Sequence, residues 1–453
     1  MQTIDPTTGK TIKTYQEYSA SKVDAMITKA HKAFLEWGPV GFEGRGTLMK
    51  KAAAILRADA HDYAVLMARE MGKPLEQGKS EIEKCALACE FFAGQARQFL
   101  TAEVVKTEAA RSYITYEPLG IVLAVMPWNF PFWQVFRCAA PTLMAGNAMV
   151  LKHASNVCGC ALCLEKVFKQ AGFPPGLFSS VLVPSRDVKG LIEHPRIAAV
   201  SLTGSVEAGR SIASAAGRAL KKTVMELGGS DPYIVLADAD LDAAVETCVR
   251  SRLINGGQSC IAAKRFIVHE RVFNDFENKF TAKMRSQRQG PPLRAGVDLG
   301  PMARHDLRDQ LHRQVTRSVK QGALLALGGT IPDGQGAFYP PTVLTQLRPG
   351  MAAFGEELFG PVAALIKARN DEDALRLAND TVFGLGAAVF TRDIQKGERI
   401  AARRLQAGSC FVNDFVRSDP HLPFGGIKQS GWGRELAQAG IREFVNVKTV
   451  YIK

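Results

Sequence analysis

From Gly120 onward the chain alternates short apolar runs with stretches whose apolar residues recur at three and four, and that alternation confines it to few folds. The runs IVLAV, AMVLK, FSSVLV, AAVSLTG and KKTVMELGG are separated by helix-length segments, one through Glu165 and one through Ala213. Such a succession predicts an α/β fold with a parallel sheet covered on both faces, the commonest frame for a dinucleotide site. Past Asp231 a second α/β pattern follows: DPYIVL, a helix from about 240 to 253, RFIVH, a long helix over 272–288, then PTVL, PVAALIKA and GAAVF. A domain boundary is expected near Ser230. Ahead of Gly120, TLMKKAAAILRADAHDYAVLMARE reads as helical as far as Gly72 and Pro74, and helical patterning resumes from Glu76 towards Phe99. RSYITYEPLG reads as extended chain broken by a turn. The tail VNVKTVYIK reads as an edge strand, expected to pair with ITYEPLG or with a partner subunit, because an unpaired edge invites aggregation.

Composition narrows the function classes. A chain of 453 residues with 46% hydrophobic content can hold two or three packed domains. The first twenty residues contain no apolar signal region and no run of 18 apolar residues occurs, so a cytoplasmic protein without membrane contact is expected. Nine cysteines, an odd number, fit free thiols in a reducing compartment. Cys158, Cys160 and Cys163 are close enough to raise a metal site, but no second cluster completes four ligands, so structural thiols on a helix and no metal are expected. The eight histidines are scattered and give no Ser-His-Asp or Cys-His arrangement. A formal charge of +13 is spread along the chain, which favours a solvated surface that steers anionic ligands over a nucleic-acid partner.

Four segments can carry chemistry. Cys260 lies in NGGQSCIAAKR, where a helix is expected to begin at or just after the cysteine, so that backbone N–H groups and the helix dipole favour thiolate; a buried, inert cysteine is the alternative. Glu226 ends an apolar strand in VMELGGS, either as a general base raised in pKa by burial or as the partner of a lysine. Asn129 in MPWNFPFW stands between Pro127 and Pro131, which hold its amide for an oxyanion or for a turn cap. LTGSVEAGR, residues 202–210, follows a strand and opens a helix whose N–H groups suit a pyrophosphate, although it is not the GxGxxG fingerprint.

PWNFP at 127–131, LTGS at 202–205, ELGGSDP at 226–232, GQSC at 257–260, EELFGPV at 356–362 and PFGGIKQSGWGRE at 423–435 stand in an order and at separations that resemble the aldehyde dehydrogenase superfamily across nearly the whole chain. PFWQVFR, LKHAS and SDPHLPFGG are similar to the bacterial short-form succinate-semialdehyde dehydrogenases. That resemblance implies the aldehyde dehydrogenase fold: a Rossmann-like cofactor domain of residues 1–106 and 125–230, an α/β catalytic domain of 231–430, and a β oligomerisation arm of 107–124 with 431–453, hence a homo-oligomer. It implies Cys260 as nucleophile, Glu226 as the base for a deacylating water, and Asn129 with the Cys260 N–H as oxyanion hole. Glu357 and Phe359 would hold the nicotinamide ribose and ring side and Lys152 the adenosine ribose, with Trp128, Gly204, Ser205 and Ser155 completing the cofactor site. The activity implied is oxidation of an aldehyde to an acid through a Cys260 thioester.

Succinate semialdehyde is the expected substrate. Trp133 and Arg137 are four apart and so share a helical face, where the Arg137 fork suits a terminal carboxylate, unless it forms a surface salt bridge. Ser418 adds a hydroxyl donor and Ser259 a further substrate contact. NADP is expected over NAD, which stays possible: many NAD-using relatives read KPSE where this chain reads Lys152, His153, Ala154 and Ser155, and loss of the carboxylate removes a repulsion with a 2′-phosphate. Another short semialdehyde, an uncharged aldehyde, a coenzyme A-acylating reaction and a catalytically idle binding protein are the alternatives; a retained Glu226 disfavours the acylating reaction.

Overall fold

The computed structural model describes residues Met1–Lys453, and its apolar runs become two sheets set end to end. In the first, the strands lie side by side in the order Gly431–Trp432, Lys222–Glu226, Ile197–Thr203, Ile121–Met126, Ala148–His153 and Phe178–Ser180. All neighbours are parallel except the first pair. Ile121–Met126 is buried along its whole length, as a central strand covered on both faces must be. From it the chain moves first to Ala148–His153 on one side and later to Ile197–Thr203 on the other, which opens a crevice beyond the carboxyl ends of these strands. PWNFP and LTGS leave the sheet at that crevice.

The second sheet runs Leu324–Leu327, Thr342–Thr345, Val362–Ala368, Arg265–His269, Pro232–Val235, Gly386–Phe390 and Ser409–Val412, antiparallel only between the first two. Its strands alternate sides with period two: Tyr233, Val235, Phe266 and Val268 pack in one core, Ile234, Leu236, Ile267 and Ile366 in another. The chain passes between sheets through 227–231, leaving the carboxyl end of Glu226 and entering the amino end at Pro232, which is in register with Arg265. Carboxyl ends of one sheet therefore face amino ends of the other.

Several boundaries differ from the sequence expectation. The helical stretch before Gly72 is two helices, Phe42–Ala58 and Ala60–Met71, parted at Asp59, whose φ of −101° and ψ of 14° leave the helical range. The long helix expected over 272–288 is Phe273–Arg285. The tail strand Val445–Ile452 pairs antiparallel with Arg111–Pro118 from Val445 opposite Pro118 to Ile452 opposite Arg111, and Glu103–Val104 flanks the other side. Residues 121–124 are core strand and Gly431–Trp432 pairs with Lys222–Glu226, while Glu103–Val104, Arg111–Pro118 and Val445–Ile452 form a separate three-stranded sheet.

The helix Trp133–Met144 is buried at every residue and carries Trp133 and Arg137 on one side. Glu81 holds its start: Oε1 accepts from the backbone N–H groups of Phe132 and Trp133 at 2.9 Å each, and Oε2 pairs with Lys73, both side chains out of solvent. A carboxylate at a helix N-terminus satisfies orphan donors and opposes the positive end of the dipole. Glu81→Ala strands the Lys73 charge and is expected to lower stability by about 3–5 kcal/mol, read as a fall in the denaturation midpoint. Adding Lys73→Met should restore part of the loss, whereas equal losses in the single and double variants would place the effect elsewhere.

Candidate active site

Two loops meet at the crevice. The first carries Trp128 and Asn129, and His153 props it from below. Its Nε2 lies 2.9 Å from the Pro131 carbonyl, and its Nδ1 lies 2.9 Å from the Ala154 N–H and 3.2 Å from the Met126 carbonyl; burial pushes its pKa down to about 4, which favours the neutral ring. The residue that replaces the motif's proline is thus a strut for the loop.

The second loop presents Cys260. Asn255, Gly256 and Gly257 adopt φ of 54°, 64° and 73°, three successive left-handed residues. A Cβ on Gly257 would lie 2.2 Å from the Gly360 carbonyl oxygen, so that position admits only glycine. Asn255 Nδ2 donates to the carbonyls of Asn129 at 2.7 Å and Gln258 at 3.1 Å, and Asn129 Nδ2 donates to Gln258 at 3.0 Å. Two asparagines therefore lace the Trp128–Asn129 loop to the loop that bears Cys260. Lys264, fully buried, donates to the carbonyls of Ser259, Cys260 and Ala262 at 3.0, 2.9 and 3.0 Å. Neither Asn255 nor Lys264 was singled out above; an Asn-Gly-Gly run is a left-handed turn signal that marks the first.

No helix starts at Cys260, which lies in a turn between the short helix ending at Gly257 and the strand from Arg265, so the expected dipole effect is absent. Burial instead pushes the thiol up to about 12; Arg137 and Lys264 pull it down, and Glu357 and Glu226 oppose them. Glu226 is buried with neither carboxylate oxygen hydrogen-bonded, and no lysine pairs with it. Burial holds its carboxyl well above the usual range, against the pull of Arg137 and Arg434.

Arg137 is neither a surface salt bridge nor a free fork. It is 2% exposed, forms an ion pair through Nε with the equally buried Glu435, donates from Nη2 to Thr203 Oγ1 at 3.2 Å and lies 4.7 Å from the centre of the Phe424 ring. Its charge acts on Cys260, Glu226 and Lys84 together.

Two cavities converge here. One, of about 500 Å³, is lined by Lys84, Trp133, Arg137, Ser259, Ser418 and Cys260 among others. The second, of about 490 Å³, is lined by Trp128, Asn129, Gly204, Ser205, Glu357, Phe359 and Cys260 among others. Cys260 is the residue common to both. In the second cleft Ser205 caps the helix Val206–Arg218 by accepting from the Ala208 N–H at 3.2 Å, leaving other first-turn N–H groups free for an anion. Trp128 and Phe359 meet edge to face with centroids 5.8 Å apart. Glu357 accepts from the Gly229 N–H at 3.1 Å and sits 3.8 Å from Lys264.

Lys152 and Ser155 lie outside both cavities, at the carboxyl end of the neighbouring strand Ala148–His153. Lys152 is buried and has only the Ser185 hydroxyl as partner, at 3.3 Å, so desolvation lowers its pKa. An ammonium without a counter-ion beside the exposed Ser155 fits an anionic group of a dinucleotide. Ser185, in PSRD after a short parallel strand, joins this group unforeseen. Cys158, Cys160 and Cys163 lie on the helix Cys158–Ala171, and no group of three His, Cys, Asp or Glu is placed to hold a metal. No helix is long and apolar enough to cross a membrane.

The model of the aldehyde dehydrogenase family matches residues 1–450. A probable succinate-semialdehyde dehydrogenase [NADP(+)] of Synechocystis sp. is 48% identical over 450 residues, 99% of each chain. Succinate-semialdehyde dehydrogenase [NADP(+)] 1 of Mycobacterium bovis is 47% identical over 453 residues, again 99% of each. Among solved structures, a succinic semialdehyde dehydrogenase from Streptococcus pyogenes in complex with NADP+ superposes with a TM-score of 0.97 at 35% identity, covering 100% of this chain and 99% of that one. With its motifs brought to one seam between two sheets and a match along almost its whole length, the chain belongs to the aldehyde dehydrogenase family.

Proposed function

We propose that the protein oxidises succinate semialdehyde to the acid with NADP+ as the preferred cofactor, through a thioester on Cys260. The observation that carries this reading is that Cys260 alone borders both cavities, so its sulfur can meet an aldehyde from one side while a hydride acceptor stands on the other. The relatives named above support the choice of substrate and cofactor. An oxidised nicotinamide, when bound, supplies the hydride acceptor.

The chain's own groups perform the remaining steps. Cys260 releases its thiol proton to water in the cavity, its Sγ adds to the carbonyl carbon, and the charge that develops on oxygen falls to Asn129 Nδ2 and the Cys260 N–H. Loss of hydride leaves a thioester. Glu226, whose carboxylate has no fixed partner, takes a proton from water, the resulting hydroxide adds to the acyl carbon, and the C–S bond breaks to release the acid as the proton held by Glu226 passes to the sulfur. The mechanism assigns Arg137 chiefly to the charge balance of these groups, with Trp133, Ser259 and Ser418 bordering the substrate. Lys152 and Ser155 take the 2′-phosphate of NADP+. The edge strand Val445–Ile452, with Val447, Tyr451 and Ile452 exposed, forms the contact of a homo-oligomer, and nine free thiols suit a reducing cytoplasm.

Cys260→Ala is expected to abolish aldehyde oxidation while leaving NADP+ binding intact; near-parental turnover would end the covalent mechanism. Glu226→Gln should retain a rapid first hydride transfer and then accumulate acyl-enzyme detectable by intact mass. Because Glu226 acts deprotonated and burial raises its pKa, deacylation in the parent should rise with pH through a midpoint above the ordinary carboxylate range; a midpoint near 4 would remove it from the base role. Ser155→Glu should lower kcat/KM with NADP+ sharply and spare NAD+, and an unchanged ratio of the two would refute the assignment of residue 155.

A further inference from the structure

The loop that presents Cys260 is gripped by its carbonyls, one after another. The Gly257 carbonyl accepts from Arg252 Nη2 at 2.7 Å, the Gln258 carbonyl from Asn129 and Asn255, and the Ser259 and Cys260 carbonyls from Lys264 Nζ at 3.0 and 2.9 Å. The Ala262 carbonyl takes the third N–H of the same group, at 3.0 Å. Three carbonyls use every donor of an ammonium, and a neutral amine has one N–H too few, so this arrangement belongs to the charged lysine. Lys264 is a fixed post for it. Its backbone N–H donates to the Asp231 carbonyl at 3.1 Å and its own carbonyl accepts from the Ala364 N–H at 3.0 Å, at the mouth of the strand Arg265–His269. The side chain is out of solvent, and the Glu357 carboxylate 3.8 Å away supplies the opposite charge. The Cys260 N–H, by contrast, donates to no group of the chain.

A trans peptide is planar and rigid, with its C=O and N–H pointing in opposite directions. The Ser259 carbonyl and the Cys260 N–H belong to one such unit. An ammonium that fixes the carbonyl therefore aims the N–H away from itself, and a cation on the oxygen polarises the unit and strengthens the N–H as a donor. We propose that Lys264 is a positioning residue for the oxyanion: by holding the Ser259 carbonyl it sets the direction and the strength of the Cys260 N–H. This deepens the thioester reading above and rests on it. Asn129 and Asn255 perform the same service one unit earlier through the Gln258 carbonyl, so the peptide that carries the free donor is braced at both neighbours.

Lys264 has a second effect that the test separates from the first. Its charge pulls the Cys260 thiol down, against burial. Alkylation of the thiolate by iodoacetamide displaces iodide at a saturated carbon and develops no oxyanion. Aldehyde oxidation develops two, one when sulfur adds to the carbonyl and one when water adds to the thioester. Loss of the charge alone slows alkylation and oxidation by the same factor, through the thiolate they share. A peptide released to turn slows oxidation further and leaves alkylation where the charge puts it.

The experiment measures, on the same preparations, the single-turnover rate of NADPH formation from succinate semialdehyde and the rate of Cys260 alkylation. Lys264→Met, which removes charge and donors from a chain of similar length, should slow hydride transfer roughly 100-fold, the scale of one lost oxyanion donor. Alkylation should slow by a clearly smaller factor, and KM and NADP+ binding should change little. Because one donor serves both oxyanions, deacylation slows as well, so acyl-enzyme does not build up as it does in Glu226→Gln. Lys264→Arg keeps the charge but cannot place three N–H bonds on three carbonyls from one atom: alkylation should stay near parental while hydride transfer falls. Equal factors for the two reactions in Lys264→Met, or parental hydride transfer in Lys264→Arg, overturn the proposal. If Lys264→Met fails to fold, Lys264→Arg decides alone. Retained turnover in Cys260→Ala would instead remove the thioester reading itself, whereas an inactive Cys260→Ala beside Lys264 variants that behave as a change of charge removes only the role given to Lys264.

Discussion

One buried guanidinium faces every acidic group of the centre. Arg137 is sealed between the Glu435 carboxylate, the Thr203 hydroxyl and the Phe424 ring, and three acidic groups, Cys260, Glu226 and Glu435, feel its field. Burial raises all three acids, against the pull of Arg137 on each, of Lys264 on Cys260 and of Arg434 on Glu226. Glu435 is the one in direct contact with the guanidinium. A helix start held by Glu81 keeps the guanidinium at that spot.

Topology explains why a cysteine from one sheet can meet an amide and a carboxylate from the other. Asn129 and Glu226 leave carboxyl ends of the first sheet, while Cys260 and Glu357 stand before amino ends of the second. The short passage 227–231 ties the two edges, and the paired asparagines Asn129 and Asn255 fix their separation at the reacting atoms. A cavity remains on each side of Cys260. Glycines at the seam have steric reasons: a Cβ on Gly228 would stand 2.4 Å from Glu357 Oε2, closer than van der Waals contact.

The sequence made the alternating strands and helices legible because doubly covered strands need apolar residues at every position, which is visible without tertiary knowledge. Cys260, Glu226 and Asn129 were recognisable as one group through the spacing of the motifs around them. What stayed hidden depends on long-range burial. A thiol in NGGQSC looks like the start of a helix until Lys264, four residues on, is seen to fold back on the carbonyls and close a turn. Arg137 looks like an open fork until Glu435, 298 positions later, occupies it. Strand pairing, not composition, separates Arg111–Pro118 from the core strand that follows.

The state of the Cys260 thiol tests this account most directly, because the balance around Arg137 stands or falls with it. Alkylation of the free enzyme by iodoacetamide, followed residue by residue by mass spectrometry across pH 6 to 11, reads the fraction of thiolate. With burial pushing the thiol up to about 12, the rate at Cys260 should climb continuously through pH 10 without a plateau. A plateau reached below pH 8 would show a thiolate already formed at rest, and would contradict a thiol that burial raises against the pull of Arg137 and Lys264.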